Sequence, residues 1–243
     1  MLFDLIFQSQ GDFRSTIVSL LLYLPMMLLA LSMHEASHGY AAYKCGDNTA
    51  RNLGRLTLNP LKHFDAIGAL FMLIFGFGWA KAVPVNPRNF RNPKRDMAIT
   101  AAAGPGANLV LGLFCTVLYG FLEAYHIYLS YTGANAFLTT CVFWLTIMMA
   151  QGALINLIFM TFNLIPLPPF DGSRIAYVLL PDRVYFGIMR YERQIMLVIL
   201  LVLFALSHFF SFSPFSWVAQ KLMSLIAQPI FELSLKMFSS LLA

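Results

Sequence analysis

Charge is what this sequence most conspicuously lacks. Only 11% of its 243 residues are Asp, Glu, Lys or Arg, against about 25% in soluble domains, while 59% are apolar. A soluble fold of this length could hide a large core, but 16 basic and 11 acidic side chains cannot coat its exterior. An ordinary cytosolic enzyme is therefore excluded. The chain, with a mean hydropathy of +0.70, reads as an all-α membrane protein: a polytopic transmembrane helix bundle, one domain over residues 1–243. Cysteine is scarce as well. Cys45, Cys115 and Cys141 make neither a paired framework nor a C-x-x-C motif, which excludes a disulfide scaffold and a thiolate zinc site and leaves them as packing residues. There is no tandem repeat, low-complexity tract or appended soluble module. The start carries Asp4 and Asp12 before a lone Arg14 and has no short apolar region with a small-residue cleavage site, so the first apolar stretch reads as a retained helix and not a signal peptide.

The charge that is present is unevenly placed. A net charge of +5 would suggest nucleic acid in a soluble protein, yet the Lys and Arg crowd into loops between apolar runs. That pattern reports topology, and no nucleic-acid partner is expected. A helix needs about 20 apolar residues to cross a bilayer, which predicts spans at 17–43, 97–122, 136–165 and 195–212. Residues 214–243 are long enough but interrupted by Lys221, Pro229, Glu232 and Lys236, so they either span or lie in the interface. The apolar stretch 66–80 is short for a span. Lys44, Arg51, Arg55 and Lys62 precede it, and Lys81, Arg88, Arg91, Lys94 and Arg95 follow it. Basic loops prefer the cytoplasm, so both flanks belong on one side and the segment is predicted to be re-entrant. The loop 123–135, without Lys or Arg, falls outside, and 166–194, with Arg174, Arg183, Arg190 and Arg193, falls inside.

Inside the first span lies Met33-His34-Glu35-Ala36-Ser37-His38-Gly39, an H-E-x-x-H pattern. Four residues are about 1.1 helical turns, so His34 and His38 project from one face and can reach one zinc, with Glu35 beside them as general base. Three ionisable side chains within five residues of a membrane helix are costly and need a joint explanation, which a metal supplies. A hydrolytic zinc wants a third protein ligand and an open position. Asp171 leads, in Pro166-Leu167-Pro168-Pro169-Phe170-Asp171-Gly172, where prolines break the helix; its structural alternative is a cap for a helix beginning near Ser173. His63 and Asp65, in the basic loop, compete with it. Asn108 and Asn163 are amides within membrane helices, suited either to donate to a substrate carbonyl or oxyanion or to join helices.

With these motifs the sequence resembles the site-2 protease family of intramembrane zinc metalloproteases over roughly residues 31–191. The resemblance rests on H-E-A-S-H-G at 34–39, T-L-N-P-L-K-H at 57–63, G-W-A-K-A-V-P-V-N-P at 78–87, A-A-G-P-G-A-N-L at 102–109 and N-L-I-P-L-P-P-F-D-G at 163–172. It implies that His34, His38 and Asp171 bind Zn2+, one per chain, and that Glu35 activates water. Phe170 stands where the family usually has Leu, which leaves the ligand in place. It further implies regulated cleavage of a transmembrane protein substrate by a compact family form without a visible PDZ or CBS domain. The expected location is the cell (inner) membrane as a multi-pass protein in the lipid bilayer, with the site toward the cytoplasm. The competing class is a zinc or cation transporter, which would need access from both faces and usually a repeat architecture. Neither is evident, and transport has no need of a Glu beside a ligating His.

Overall fold

The computed structural model describes residues 13–65, 68, 81–168, 170–181 and 214–240, with scattered positions between 183 and 205. The chain runs through α1 (Phe13–Lys44), the short α2 (Thr49–Asn52), α3 (Pro93–Tyr131), α4 (Ala136–Asn163), α5 (Asp171–Ala176) and α6 (Pro214–Ser240). No strand occurs among the described residues. The helices α1, α3 and α4 are long and apolar enough to cross a membrane, and they carry the spans predicted at 17–43, 97–122 and 136–165. The predicted span 195–212 lies largely, and the stretch 66–80 almost wholly, outside the described residues. The ambiguous tail forms α6.

One boundary differs from the sequence reading. Helix α3 continues to Tyr131, so the outer loop expected at 123–135 shrinks to 132–135. Polar residues such as Glu123 and His126 mark where the chain becomes polar, but the backbone ladder continues through them until Gly133, at φ +65°, allows the left-handed turn that ends it.

The three long helices pack together through small residues, as helices in lipid do. Met26, Met27 and Ala30 of α1 meet Cys115 of α3 and Met149, Ala153 and Ile155 of α4. A Cβ on Gly112 would lie 3.1 Å from Leu157, so α3 and α4 approach closely there. Ala219 of α6 is buried with Leu157 and Met160, and the Phe238 ring sits among Phe121, Tyr125 and Tyr128. Val110, Phe114 and Val117 point outward from one face of α3, which suits lipid. Of the cysteines expected to pack, Cys115 is buried and Cys45 half-buried, but Cys141 is exposed on α4 and does not.

At one end of the bundle the basic loops are tied together. The Lys44 ammonium lies over the Tyr40 ring and the Arg51 guanidinium over Tyr43, the aromatic and basic pairing expected at a membrane interface. Lys81 N–H donates to the His63 carbonyl at 3.0 Å, Asn86 N–H to Asp47 at 2.7 Å, and Lys94 Nζ to the Leu180 carbonyl at 2.6 Å. The described residues of 44–65, 81–96 and 166–181 therefore meet at one end. His63 and Lys81, on either side of 66–80, are hydrogen-bonded neighbours.

Candidate metal centre

Helical spacing sets the first two donors. His34 and His38, one turn apart on α1, place their Nε2 atoms 2.9 Å from each other. The third donor comes from the far end of the chain. After α4, Pro166 and Pro168 interrupt helical hydrogen bonding, and α5 begins at Asp171. A Cβ on Gly172 would lie 2.5 Å from the Ile165 carbonyl oxygen, so glycine there lets α5 start against the end of α4. Phe170 is buried with its ring centroid 4.3 Å from that of Phe162, fixing the residue before Asp171. The Asp171 Oδ2 then sits 3.2 Å from both Nε2 atoms. No side chain caps α5, which starts at Asp171 and not near Ser173, so the capping alternative for Asp171 is not what the fold uses. Among the described residues, His34, His38 and Asp171 form the group able to hold a metal ion.

Hydrogen bonding decides what that group offers. His38 Nδ1 lies 2.7 Å from the Thr100 carbonyl, which can only accept, so Nδ1 carries the proton. Pro105 lacks the N–H that would close on Ala101, one residue beyond that carbonyl. Asn108, fully buried, donates its amide to the Ala30 carbonyl at 3.2 Å and to Asn156 Oδ1 at 2.8 Å. Its own Oδ1 therefore faces His34 Nδ1 at 2.5 Å and accepts that proton. Both imidazoles are left with bare Nε2 lone pairs, and Asp171 Oδ2 is buried without a donor. Three lone pairs this close repel unless a cation lies between them. Two imidazoles and one carboxylate are a set that zinc accepts, and their separations are near the roughly 3.3 Å that bonds of about 2.0–2.1 Å subtend at a tetrahedral ion. The residues fit the metal. Gly104 makes room for the two rings: a Cβ there would lie 2.5 Å from His38 Cε1 and 2.7 Å from His34 Cε1.

Glu35 lies outside the donor group. Its Oε2 accepts the Val83 backbone N–H at 2.8 Å. The competing ligands are occupied elsewhere: His63 is buried with Nε2 2.8 Å from the Thr57 carbonyl, and Asp65 accepts the Gly68 N–H at 2.7 Å. Asn163 donates to the Phe159 carbonyl of its own helix at 3.0 Å. Asn108 has both amide protons engaged, which joins α1, α3 and α4 and orients His34.

Several residues that shape the site escape sequence reading. Asn156 is a third amide inside an apolar helix, a polarity cue that was available. Thr100 acts through its carbonyl, which no side-chain pattern reveals. Asp47 and Arg55 read as ordinary loop charges, yet both are buried. Burial works against the Asp47 charge, but hydrogen bonds from Thr49, Asn86 and Asn89 hold its carboxyl below the usual carboxylate range.

Residues 22–207, well over half of the chain, match the model of peptidase family M50. Among curated proteins, YwhC of Bacillus subtilis (strain 168), named provisionally as a zinc metalloprotease, is 40% identical over 171 residues, covering 69% of this chain and 73% of that protein. Rip2 of Mycolicibacterium smegmatis, named in the same way, is 30% identical over 150 residues, 60% of this chain and 52% of that one. No solved structure matches.

Proposed function

We propose a mechanism from the premise that this chain belongs to peptidase family M50, the site-2 proteases, and is an intramembrane zinc metalloprotease. In it, His34, His38 and Asp171 hold one zinc per chain and Glu35 is the general base. The observation that carries the assignment is the convergence of three unprotonated donors, with Glu35 beside them but outside the set. When bound, the metal supplies Lewis acidity toward water and the scissile carbonyl. Glu35 takes a proton from water as the water oxygen bonds to the carbonyl carbon and the C=O π pair moves onto the carbonyl oxygen, then gives that proton to the amide nitrogen as the C=O bond re-forms and the C–N bond breaks. The Nδ1–H bonds to Asn108 and Thr100 fix both imidazole rings, so the donors stay aimed through the reaction. Asn163 keeps an N–H beyond the one given to Phe159 and is a candidate to bind the substrate carbonyl.

The substrate is a transmembrane helix of another protein, cut near its cytoplasmic end. With α1 ending at Lys44, His38 and His34 are 6 and 10 residues inside, or about 9 and 15 Å at 1.5 Å per residue. A helical carbonyl is hydrogen-bonded and screened, so the substrate must unwind locally, and residues 81–86, which run without helix beside Glu35, are placed to pair with it. The setting is the cell membrane with the site on the cytoplasmic side, and cleavage is regulated. Transport is dropped, because both relatives are named for proteolysis and a pump has no use for a base next to its ligand. The test is cleavage of a reconstituted transmembrane substrate by wild type and Glu35→Gln, with the cut position mapped by mass spectrometry. Wild type should cut within the transmembrane segment and Glu35→Gln should not. Cutting only in a soluble loop, or undiminished cutting by Glu35→Gln, would overturn the proposal.

A further inference from the structure

Residues 81–86 lack the ladder of a helix, yet Val83 is buried and its N–H meets one oxygen of the Glu35 carboxylate. Two buried charges on the stretch just after α1 hold the segment at both ends. Arg55, only 9% exposed, donates from Nη2 to the Lys81 carbonyl at 2.6 Å and the Ala82 carbonyl at 3.3 Å. Asp47, fully buried, accepts the Asn86 N–H on Oδ2 at 2.7 Å and the Asn89 amide on Oδ1 at 2.8 Å. Its Oδ1 also takes the Thr49 N–H at 3.0 Å and the Thr49 hydroxyl at 2.5 Å. Burying an aspartate and an arginine that do not pair with each other is costly. Of the hydrogen bonds that offset that cost, those from Arg55 to the Lys81 and Ala82 carbonyls and from the Asn86 N–H to Asp47 set the position of residues 81–86 relative to α1. Gly39, one turn after Glu35, lets them come close: a Cβ there would lie 2.6 Å from Leu56 Cδ2 and 3.1 Å from Val83 Cγ1.

We propose that Asp47 and Arg55 are positioning residues for peptide hydrolysis: they fix the register of 81–86 so that the Val83 N–H holds Glu35 Oε2 and leaves Oε1 facing the water whose proton it takes. The inference rests on Glu35 as the base. Released from Val83, the carboxylate turns among its rotamers, and the fraction of molecules with an oxygen in reach of that proton falls. Neither residue touches metal or substrate, so the effect belongs in turnover and not in zinc binding.

Two substitutions loosen opposite ends of the segment. In Asp47→Asn the amide oxygen stays with the three donors on Oδ1, and the new NH2 confronts the Asn86 N–H, so that end is freed while the Thr49 turn is kept. Arg55→Lys replaces a planar fork with a single ammonium and cannot hold both carbonyls in the same way. On the full chain in detergent, each variant should speed hydrogen exchange of the 81–86 amides about tenfold and lower kcat about 10- to 100-fold. Zinc content should stay within about twofold of wild type, and KM should rise by less than kcat falls, since 81–86 also pair with the substrate. Val83→Pro, which deletes the N–H, should also lower kcat, and adding Asp47→Asn to it should lower kcat no further. Faster exchange with unchanged kcat, kcat loss matched by zinc loss, or fully additive losses in the double variant would each overturn the assignment. A wild type that cleaves nothing would refute the protease reading itself and with it the catalytic half of this inference, whereas the exchange measurement would still decide whether the two charges anchor the segment.

Discussion

Gly104→Ala isolates the metal centre from the stability of the helix that carries it. The new Cβ would lie 2.5 Å from His38 Cε1 and 2.7 Å from His34 Cε1, whereas carbon atoms in contact settle at about 3.5–4.0 Å. Both rings must withdraw by about 1 Å, and metal–ligand distances tolerate only about 0.2 Å. Withdrawal would also stretch the Nδ1 contacts to Asn108 and Thr100. Zinc affinity should fall at least about 100-fold, or about 2.7 kcal/mol. The helix should not suffer, since alanine is favoured over glycine in a helix interior by about 1 kcal/mol. Gly106→Ala is the matched control, because no atom lies within 4 Å of the Cβ it would add. The assay is zinc retained by each purified variant against graded chelator, beside a thermal melt in the same detergent. Stripped of metal, Gly104→Ala should still melt cooperatively, the helix preference for alanine offsetting part of the cost of displacing the rings, yet it should lose zinc at far lower chelator; zinc affinity within about threefold of wild type would refute the geometry of the three donors.

Other outcomes follow from the same contacts. Asn108→Ala removes the acceptor that fixes the His34 tautomer and should weaken zinc binding about 10- to 100-fold, read by the same chelator competition; unchanged affinity would show that His34 is oriented by something else. Asp47 has a folded pKa held below its unfolded value of about 3.9, so its contribution to stability is present above that pH and is lost as pH falls through the folded pKa. The melting temperature of wild type should therefore converge on that of Asp47→Asn in acid, and a gap that widens as pH falls would contradict the sign. Single cysteines placed in 44–65, 81–96 and 166–194 of a cysteine-free protein should react with an impermeant thiol reagent from one side of the membrane and those in 132–135 from the other. Labelling of the loops flanking 66–80 from opposite sides would remove the re-entrant assignment.

What could be read from the sequence is what short-range periodicity or composition determines. The H-E-x-x-H spacing becomes a shared helical face whatever surrounds it, so His34 and His38 were legible at once. Their partner Asp171 is more than 130 residues away from them, and proline breaks and a Gly172 that allows close approach mark it only as a special turn. Charge distribution picked out the loops that meet at one end of the bundle, since Lys and Arg are kept out of apolar helices. Composition could not locate the end of α3, because a helix emerging from lipid changes its side chains before its backbone stops hydrogen bonding. Asp47 and Arg55 were illegible for a related reason: in the sequence they are two charges of a basic loop, and only closure of 81–86 onto α1 buries them. Asn108 was legible as a buried amide but not in its role, which depends on which carbonyls take its two protons.

We assign the zinc to two histidines and a remote aspartate, and not to the glutamate between the histidines. Zinc per chain, measured by elemental analysis on wild type, Glu35→Gln and Asp171→Ala purified side by side, tests that assignment most directly. Wild type and Glu35→Gln should each carry about one equivalent, and Asp171→Ala should lose most of it. Full zinc in Asp171→Ala, or zinc lost from Glu35→Gln, would contradict it.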